Sequence, residues 1–145
     1  NCLKDEKLII DKVSSVYKSQ SWGFVGSDFL NTCIKIKTFY NPNELLEKLI
    51  KIEKTLGREE MKKENFYSSR KIDLDILFYD NLVVNKRKLI IPHPRIELRN
   101  FVLVPLREIS KNLVHPISGK TIEEIIELKK DKSLLEKTKL CVYEL

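Results

Sequence analysis

The chain has 145 residues, 42% of them hydrophobic and 33% charged, with 4 Gly and 5 Pro, which fits one domain, 1–145, with a workable core and leaves no repeat or low-complexity linker. Lys and Arg outnumber Asp and Glu 27 to 21, a formal net charge of +6 that attracts polyanions such as nucleotide phosphates or nucleic acid without choosing between them. No apolar run approaches the roughly 20 residues that span a bilayer and no signal-peptide pattern opens the chain, while Cys2, Cys33 and Cys141 are widely spaced, odd in number and without metal-ligand spacing, so reduced thiols and a cytoplasmic setting are expected.

In chain order, Leu8 to Tyr17 mixes β-branched and apolar residues and predicts a strand. A loop from Ser19 to Asp28 carries the only Trp, and Phe29 to Thr38 alternates apolar and polar residues as a half-buried strand that can pair with the first. Asn41 is a candidate N-cap and Pro42 a first helical residue. Leu45, Leu46, Leu49, Ile52, Glu53 and Leu56 then keep helical spacing to a stop at Gly57. Glu59 to Ser69 is charged and aperiodic and predicts a mobile loop. A strand through Ile72 to Tyr79 turns at Asp80-Asn81, with short extended pieces at Leu82 to Val84 and Lys88 to Ile91. Pro92 to Arg95 must be irregular, since each Pro restricts the residue before it. Ile96 to Ile109 and Thr121 to Leu128 predict two further helices before a lysine-rich tail, giving an α+β domain with an antiparallel sheet and helices on one face.

The strand from Ile72 to Tyr79 carries the chemistry. Asp73 and Asp75 stand at i and i+2 and so share one strand face, about 7 Å apart, while Ile72, Leu74, Ile76 and Phe78 supply the apolar continuation. Two like charges so placed repel unless a cation lies between them. Hard oxygen donors without a Cys or His cluster favour Mg²⁺, which completes its shell with water and substrate phosphates. Arg70, just upstream, suits a phosphate. A polar strand face turned to water is the plainer alternative, and the commoner one for an arbitrary Asp-x-Asp. The second signal is the proline-fixed turn Pro92-His93-Pro94-Arg95, followed by Arg99 and Phe101. Arg suits bidentate contact with phosphate oxygens, although a lone His before Pro is more often a structural turn residue.

Together, Arg70-Lys71-Ile72-Asp73-Leu74-Asp75 and the segment Pro92 to Leu103 resemble the hallmarks of the 6-hydroxymethyl-7,8-dihydropterin pyrophosphokinases of folate biosynthesis. The resemblance extends through Ser14-Ser15-Val16-Tyr17, Gln20-Ser21-Trp22-Gly23, Asp28-Phe29-Leu30-Asn31, Ile52 to Arg58 and His115-Pro116, covering most of residues 8 to 126. It implies a ferredoxin-like α+β fold, mainly antiparallel with flanking helices. It also implies an ATP-dependent diphosphotransferase: attack by the pterin hydroxyl at the β-phosphorus, with AMP leaving.

By the same resemblance, Asp73 and Asp75 hold two Mg²⁺ ions, and Asp73 also borders the pterin. Phe29 and Phe101 sandwich the pterin ring, Asn31 reads its polar edge, and the loop Ser19, Gln20, Ser21, Trp22 adds main-chain contacts. Glu53, Arg58 and Ile76 lie on the nucleotide side, while Arg70, His93 and Arg99 contact the nucleotide and its phosphates, Arg70 and Arg99 with catalytic roles. On the residues alone, core packing is the favoured reading of Phe29 and Phe101, and a hydrogen-bonded structural role weighs equally for Asn31. The loop Glu59 to Ser69 would act as a lid, with Lys62, Lys63, Tyr67 and Arg70 as candidates to close over ATP and with Glu59 and Glu60 where relatives often carry a basic residue. The family's first strand and most of its first helix have no counterpart here beyond Asn1 to Leu3, and loss of an internal strand would leave unpaired backbone groups. ATP and a reduced pterin are the expected partners, with no nucleic acid and no membrane. A monomer is expected and a homodimer stays open. The rival readings are a ferredoxin-like nucleic-acid-binding module, which explains the charge but not the paired aspartates, and a non-catalytic nucleotide-binding relative.

Overall fold

The computed structural model describes residues 6–19, 28–56, 72–129 and 135–141. Strand β1 (Leu8–Val13) is followed by β2 (Tyr17–Ser19), β3 (Phe29–Asn31), β4 (Ile34–Thr38), α1 (Pro42–Thr55), β5 (Val84–Lys86), β6 (Leu89–Ile91), a 3-10 turn (Ile96–Leu98), α2 (Asn100–Ser110), α3 (Ile122–Leu128) and β7 (Glu136–Lys137). The class is α+β, as expected, and every strand pair among the described residues is antiparallel. The pairing falls into three small sheets among the described residues: β1 with β4, β3-β2-β7, and the β5-β6 hairpin.

The two long strands expected at Leu8 to Tyr17 and Phe29 to Thr38 are each broken in the middle. Ser14 is the cause. Its backbone N–H donates to the Cys33 carbonyl at 2.9 Å, its side-chain oxygen accepts from the Cys33 N–H at 2.9 Å, and its hydroxyl lies 3.1 Å from that of Thr32. Side-chain hydroxyls thus replace ladder bonds where β1–β4 gives way to β2–β3, and the hairpin changes sheet at that point. The second half keeps a plain register, Tyr17 opposite Asn31 and Ser19 opposite Phe29. The tail also departs from expectation, since β7 pairs with β2 and Thr138 donates to the Val16 carbonyl through both its N–H and its hydroxyl.

Helix α1 begins where its sequence dictates. The Asn41 side chain accepts from Asn43 and Glu44, and the Glu44 carboxylate takes the Asn41 N–H at 2.9 Å, a complete capping box with Pro42 in the first turn. Thr121 and Glu124 build the same box for α3. The single helix expected from Ile96 to Ile109 is instead interrupted at Arg99, whose backbone is extended (φ −117°, ψ 100°) and whose carbonyl starts α2 by accepting from Val102 and Leu103.

Among the described residues, two apolar clusters form the core. One gathers Cys33, Ile96, Leu103, Leu106, Ile109, Ile122 and Ile125, with Leu77 and Phe78 against it. The other gathers Leu8, Leu45, Ile76, Leu89 and Ile91, with Tyr40 and Tyr79 against it. The Cys33 thiol, buried and 3.7 Å from the Val102 carbonyl, is pushed up to about 12 by desolvation and stays protonated. Leu103 is fully enclosed at 0% exposure, so Leu103→Ala should cost about 2–5 kcal/mol of stability, read as a lower midpoint in urea with an unchanged slope.

Candidate functional site

Residues 72–79 form no ladder among the described residues, contrary to the expected strand, yet their burial still alternates: Asp73 and Asp75 are exposed, Leu74 is half-buried and Ile76 is buried. Other groups hold this backbone. The Leu74 N–H, between the two aspartates, donates to Glu53 Oε1 at 2.7 Å. Three residues on, the Leu77 carbonyl accepts the His93 N–H at 2.9 Å, and Tyr79 donates its hydroxyl to the Tyr40 carbonyl at 2.6 Å. Glu53, expected on the nucleotide side, is therefore a buried carboxylate (3% exposed) beneath the Asp-bearing run, and the Ile76 side chain belongs to the core.

The turn after β6, with a cis Ile91–Pro92 bond, brings His93 beside this run. His93 Nδ1 accepts the Arg95 N–H at 3.3 Å, which leaves Nε2 as the protonated, donating nitrogen. Burial, the largest influence, holds the His93 pKa below the ordinary value; Asp75 opposes that shift, and Arg99 and Arg95 reinforce it. Asp75, Arg99 and Arg95 are thus the charges that act on His93. The Arg99 guanidinium also sits 5.5 Å from the centre of the Phe101 ring, within cation–π range.

On β3, Phe29 is 49% exposed and packs in neither core cluster. Asn31 donates its amide to Ser19 Oγ at 3.0 Å and to the Phe29 carbonyl at 3.3 Å, which ties the end of β2 to the start of β3. Phe101, half-buried, opens α2, which packs against both β2 and β3. Gln20, Ser21, Trp22, Arg58, Arg70 and the lid residues Lys62, Lys63 and Tyr67 lie outside the described residues. Among the described ones, no group of three or more His, Cys, Asp or Glu could enclose a metal by itself.

Residues 1–111 match the family model of 7,8-dihydro-6-hydroxymethylpterin-pyrophosphokinase. The chain belongs to this family. It is 45% identical over 121 residues to the 2-amino-4-hydroxy-6-hydroxymethyldihydropteridine pyrophosphokinase of Aquifex aeolicus, an alignment covering 83% of this chain and 74% of that protein. The protein of the same name from Synechocystis is 40% identical over 118 residues, 81% of this chain and 59% of the relative. The folic acid synthesis protein fol1 of Pneumocystis carinii is 43% identical over 117 residues, 80% of this chain but 15% of that much longer protein. As a pyrophosphokinase of folate biosynthesis, the chain is an ATP-dependent diphosphotransferase, and no helix among its described residues is long and apolar enough to cross a membrane.

Glu53 follows the buried Ile52 and lies eight residues after Leu45 on the buried face of α1, where its carboxylate accepts the Leu74 N–H. Removing its carboxylate should strand the Leu74 N–H. Glu53→Ala should cost about 1–3 kcal/mol in urea unfolding, whereas Glu53→Gln, which keeps an acceptor oxygen, should unfold near the wild type.

Proposed function

We propose that the exposed Asp73 and Asp75, with His93 and Arg99 beside them, form the site at which this chain moves the diphosphate of ATP onto the hydroxymethyl oxygen of 6-hydroxymethyl-7,8-dihydropterin, releasing AMP. The observation that carries the reading is the joining of two distant segments: the His93 N–H holds the Leu77 carbonyl, and His93 is electrostatically coupled to Asp75 and Arg99.

The two aspartates fit Mg²⁺. They are exposed hard donors on alternate positions, and an ion held by one or two carboxylates draws its remaining ligands from water and phosphate. When bound, two Mg²⁺ ions would neutralise phosphate charge and favour ionisation of the pterin hydroxyl. Arg99 supplies a guanidinium suited to a phosphate oxygen. His93, neutral with its proton on Nε2, supplies one donor without further charge. No side chain among these is needed as a strong base, so positioning and charge neutralisation carry the rate. Phe29 and Phe101 offer aromatic faces and Asn31 an amide for the flat pterin ring; the exposure of Phe29 supports that role over core packing. Arg70, Arg58 and Ser19 to Trp22 keep their expected contacts in this reading, and the Glu59 to Ser69 loop its role as a lid. Glu53 acts from below, through Leu74. Ile76 contributes through its main chain. A cytoplasmic monomer that binds no nucleic acid remains the expected form.

AMP release from ATP in Mg²⁺, with and without the pterin, tests the assignment on the complete gene product. Release should depend on the pterin, and Asp73→Asn or Asp75→Asn should each lower turnover at least about 100-fold with the fold retained. Near-normal turnover in either variant would remove the carboxylates from the reaction. The ionisation of His93 gives a second test. Because its pKa is lowered, it is neutral above the ordinary histidine value of about 6.5, and protonation at lower pH puts a proton where the Arg95 N–H now donates. The KM for ATP should therefore be flat above about pH 6.5 and rise only below it, and in His93→Ala it should be high at every pH. An acid limb centred above that value in the wild type would contradict the assignment.

A further inference from the structure

Outside these residues, the exposed side chain of Glu108, in the last turn of α2, gathers several partners. Its Oε1 accepts the Ser15 hydroxyl at 2.8 Å and faces Lys137 Nζ at 3.4 Å; its Oε2 accepts the Ser15 N–H at 3.0 Å and the Tyr17 hydroxyl at 3.0 Å. Burial works to raise the Glu108 pKa, yet the Ser15 and Tyr17 hydrogen bonds and the charge of Lys137 outweigh it and hold the carboxyl below its ordinary range. One carboxylate thus joins α2 to the start of β2 and to β7. This is more than a surface salt bridge, which alone is worth little.

The elements it joins carry the two walls of the proposed pterin pocket. Tyr17 stands directly opposite Asn31 in the ladder and Ser19 opposite Phe29. On the helix, Phe101 and Glu108 are seven residues apart, which places them on the same face about 10 Å from each other along the axis. A shift or roll of α2 relative to the β2–β3 hairpin would move the Phe101 ring away from Phe29 and Asn31. The Glu108 hydrogen bonds resist that movement. Thr138, held to the Val16 carbonyl, backs the same strand from the other side.

We propose that Glu108 is a positioning residue for pterin binding, setting the spacing between Phe101 on α2 and Phe29 with Asn31 on β3 through its bonds to Ser15 and Tyr17. The proposal rests on the assignment of Phe29 and Phe101 to the pterin, and its test separates the two.

In the complete gene product, KM for pterin, KM for ATP and kcat would be measured for Phe29→Ala, Phe101→Ala, Glu108→Ala, Glu108→Gln, Tyr17→Phe and the double variant Glu108→Ala/Phe101→Ala. Glu108→Ala should raise the pterin KM about tenfold, with the ATP KM and kcat near the wild type. Tyr17→Phe should show a smaller rise in the same direction. Glu108→Gln, which keeps one acceptor oxygen, should recover part of the loss. In the double variant the two effects should be less than additive, because Glu108 acts through Phe101. If both Phe variants leave the pterin KM unchanged, the pocket assignment and the positioning proposal fall together. If the Phe variants raise it while Glu108→Ala and Tyr17→Phe do not, or raise pterin and ATP KM equally, the pocket stands and the positioning role is overturned. Should Glu108→Ala fail to fold, Tyr17→Phe and Glu108→Gln carry the same decision.

Discussion

The run Ile76 to Tyr79 is divided between two cores, and the site depends on that division. Ile76 and Tyr79 pack toward α1 and the β5–β6 hairpin, while Leu77 and Phe78 pack toward α2 and α3. A four-residue stretch shared between two clusters cannot slip by one residue without moving side chains, Ile76 among them, out of their own cluster. The carboxylates just before it inherit that register. Asp73 and Asp75 stay exposed because Ile76 is anchored, and the bond from Leu74 to Glu53 stops the intervening backbone from rotating. His93 is referred to the same anchor through the Leu77 carbonyl. Two carboxylates and an imidazole from segments about twenty residues apart are thereby referred to one packed element, the kind of support that the proposed reaction, driven by positioning, would need.

The charge arrangement follows a similar economy of means. Asp75 on one side of the balance and Arg95 and Arg99 on the other act on His93, whose positive charge is disfavoured by burial. The proposed site would offer a triphosphate and its cations both signs of charge. The overall excess of positive charge adds a long-range attraction for the nucleotide but does not define the site.

What the sequence made legible was local chemistry. The Asn41-Pro42-Asn43-Glu44 start and the Thr121 to Glu124 start are complete in four residues each, so α1 and α3 begin where the sequence places them. The breaks in the first hairpin were not legible, because they arise from Ser14 meeting Thr32 and Cys33 across the pair. The strand pattern at Ile72 to Tyr79 was correct in its alternation and incomplete in its bonding, since a period of two reports which faces are wet and dry but not what accepts the N–H groups. Of the residues in the proposed site, Asp73 and Asp75 stand out by type and spacing, while His93 and Arg99 enter through the family resemblance of their segment. Glu108 could be found from neither, because its partners are 93, 91 and 29 positions away and nothing in the intervening sequence signals that they meet.

The enclosure of Cys33 has a practical consequence. Its sulfur lies under α2, against the Val102 carbonyl, and remains a thiol at any ordinary pH, whereas Cys141 is exposed. Alkylating reagents should reach the exposed Cys141 in the native fold and Cys33 only when the hairpin and α2 part. The native chain therefore contains its own clock for that separation: the modification rate of Cys33 counts openings between the first hairpin and α2, with no label introduced.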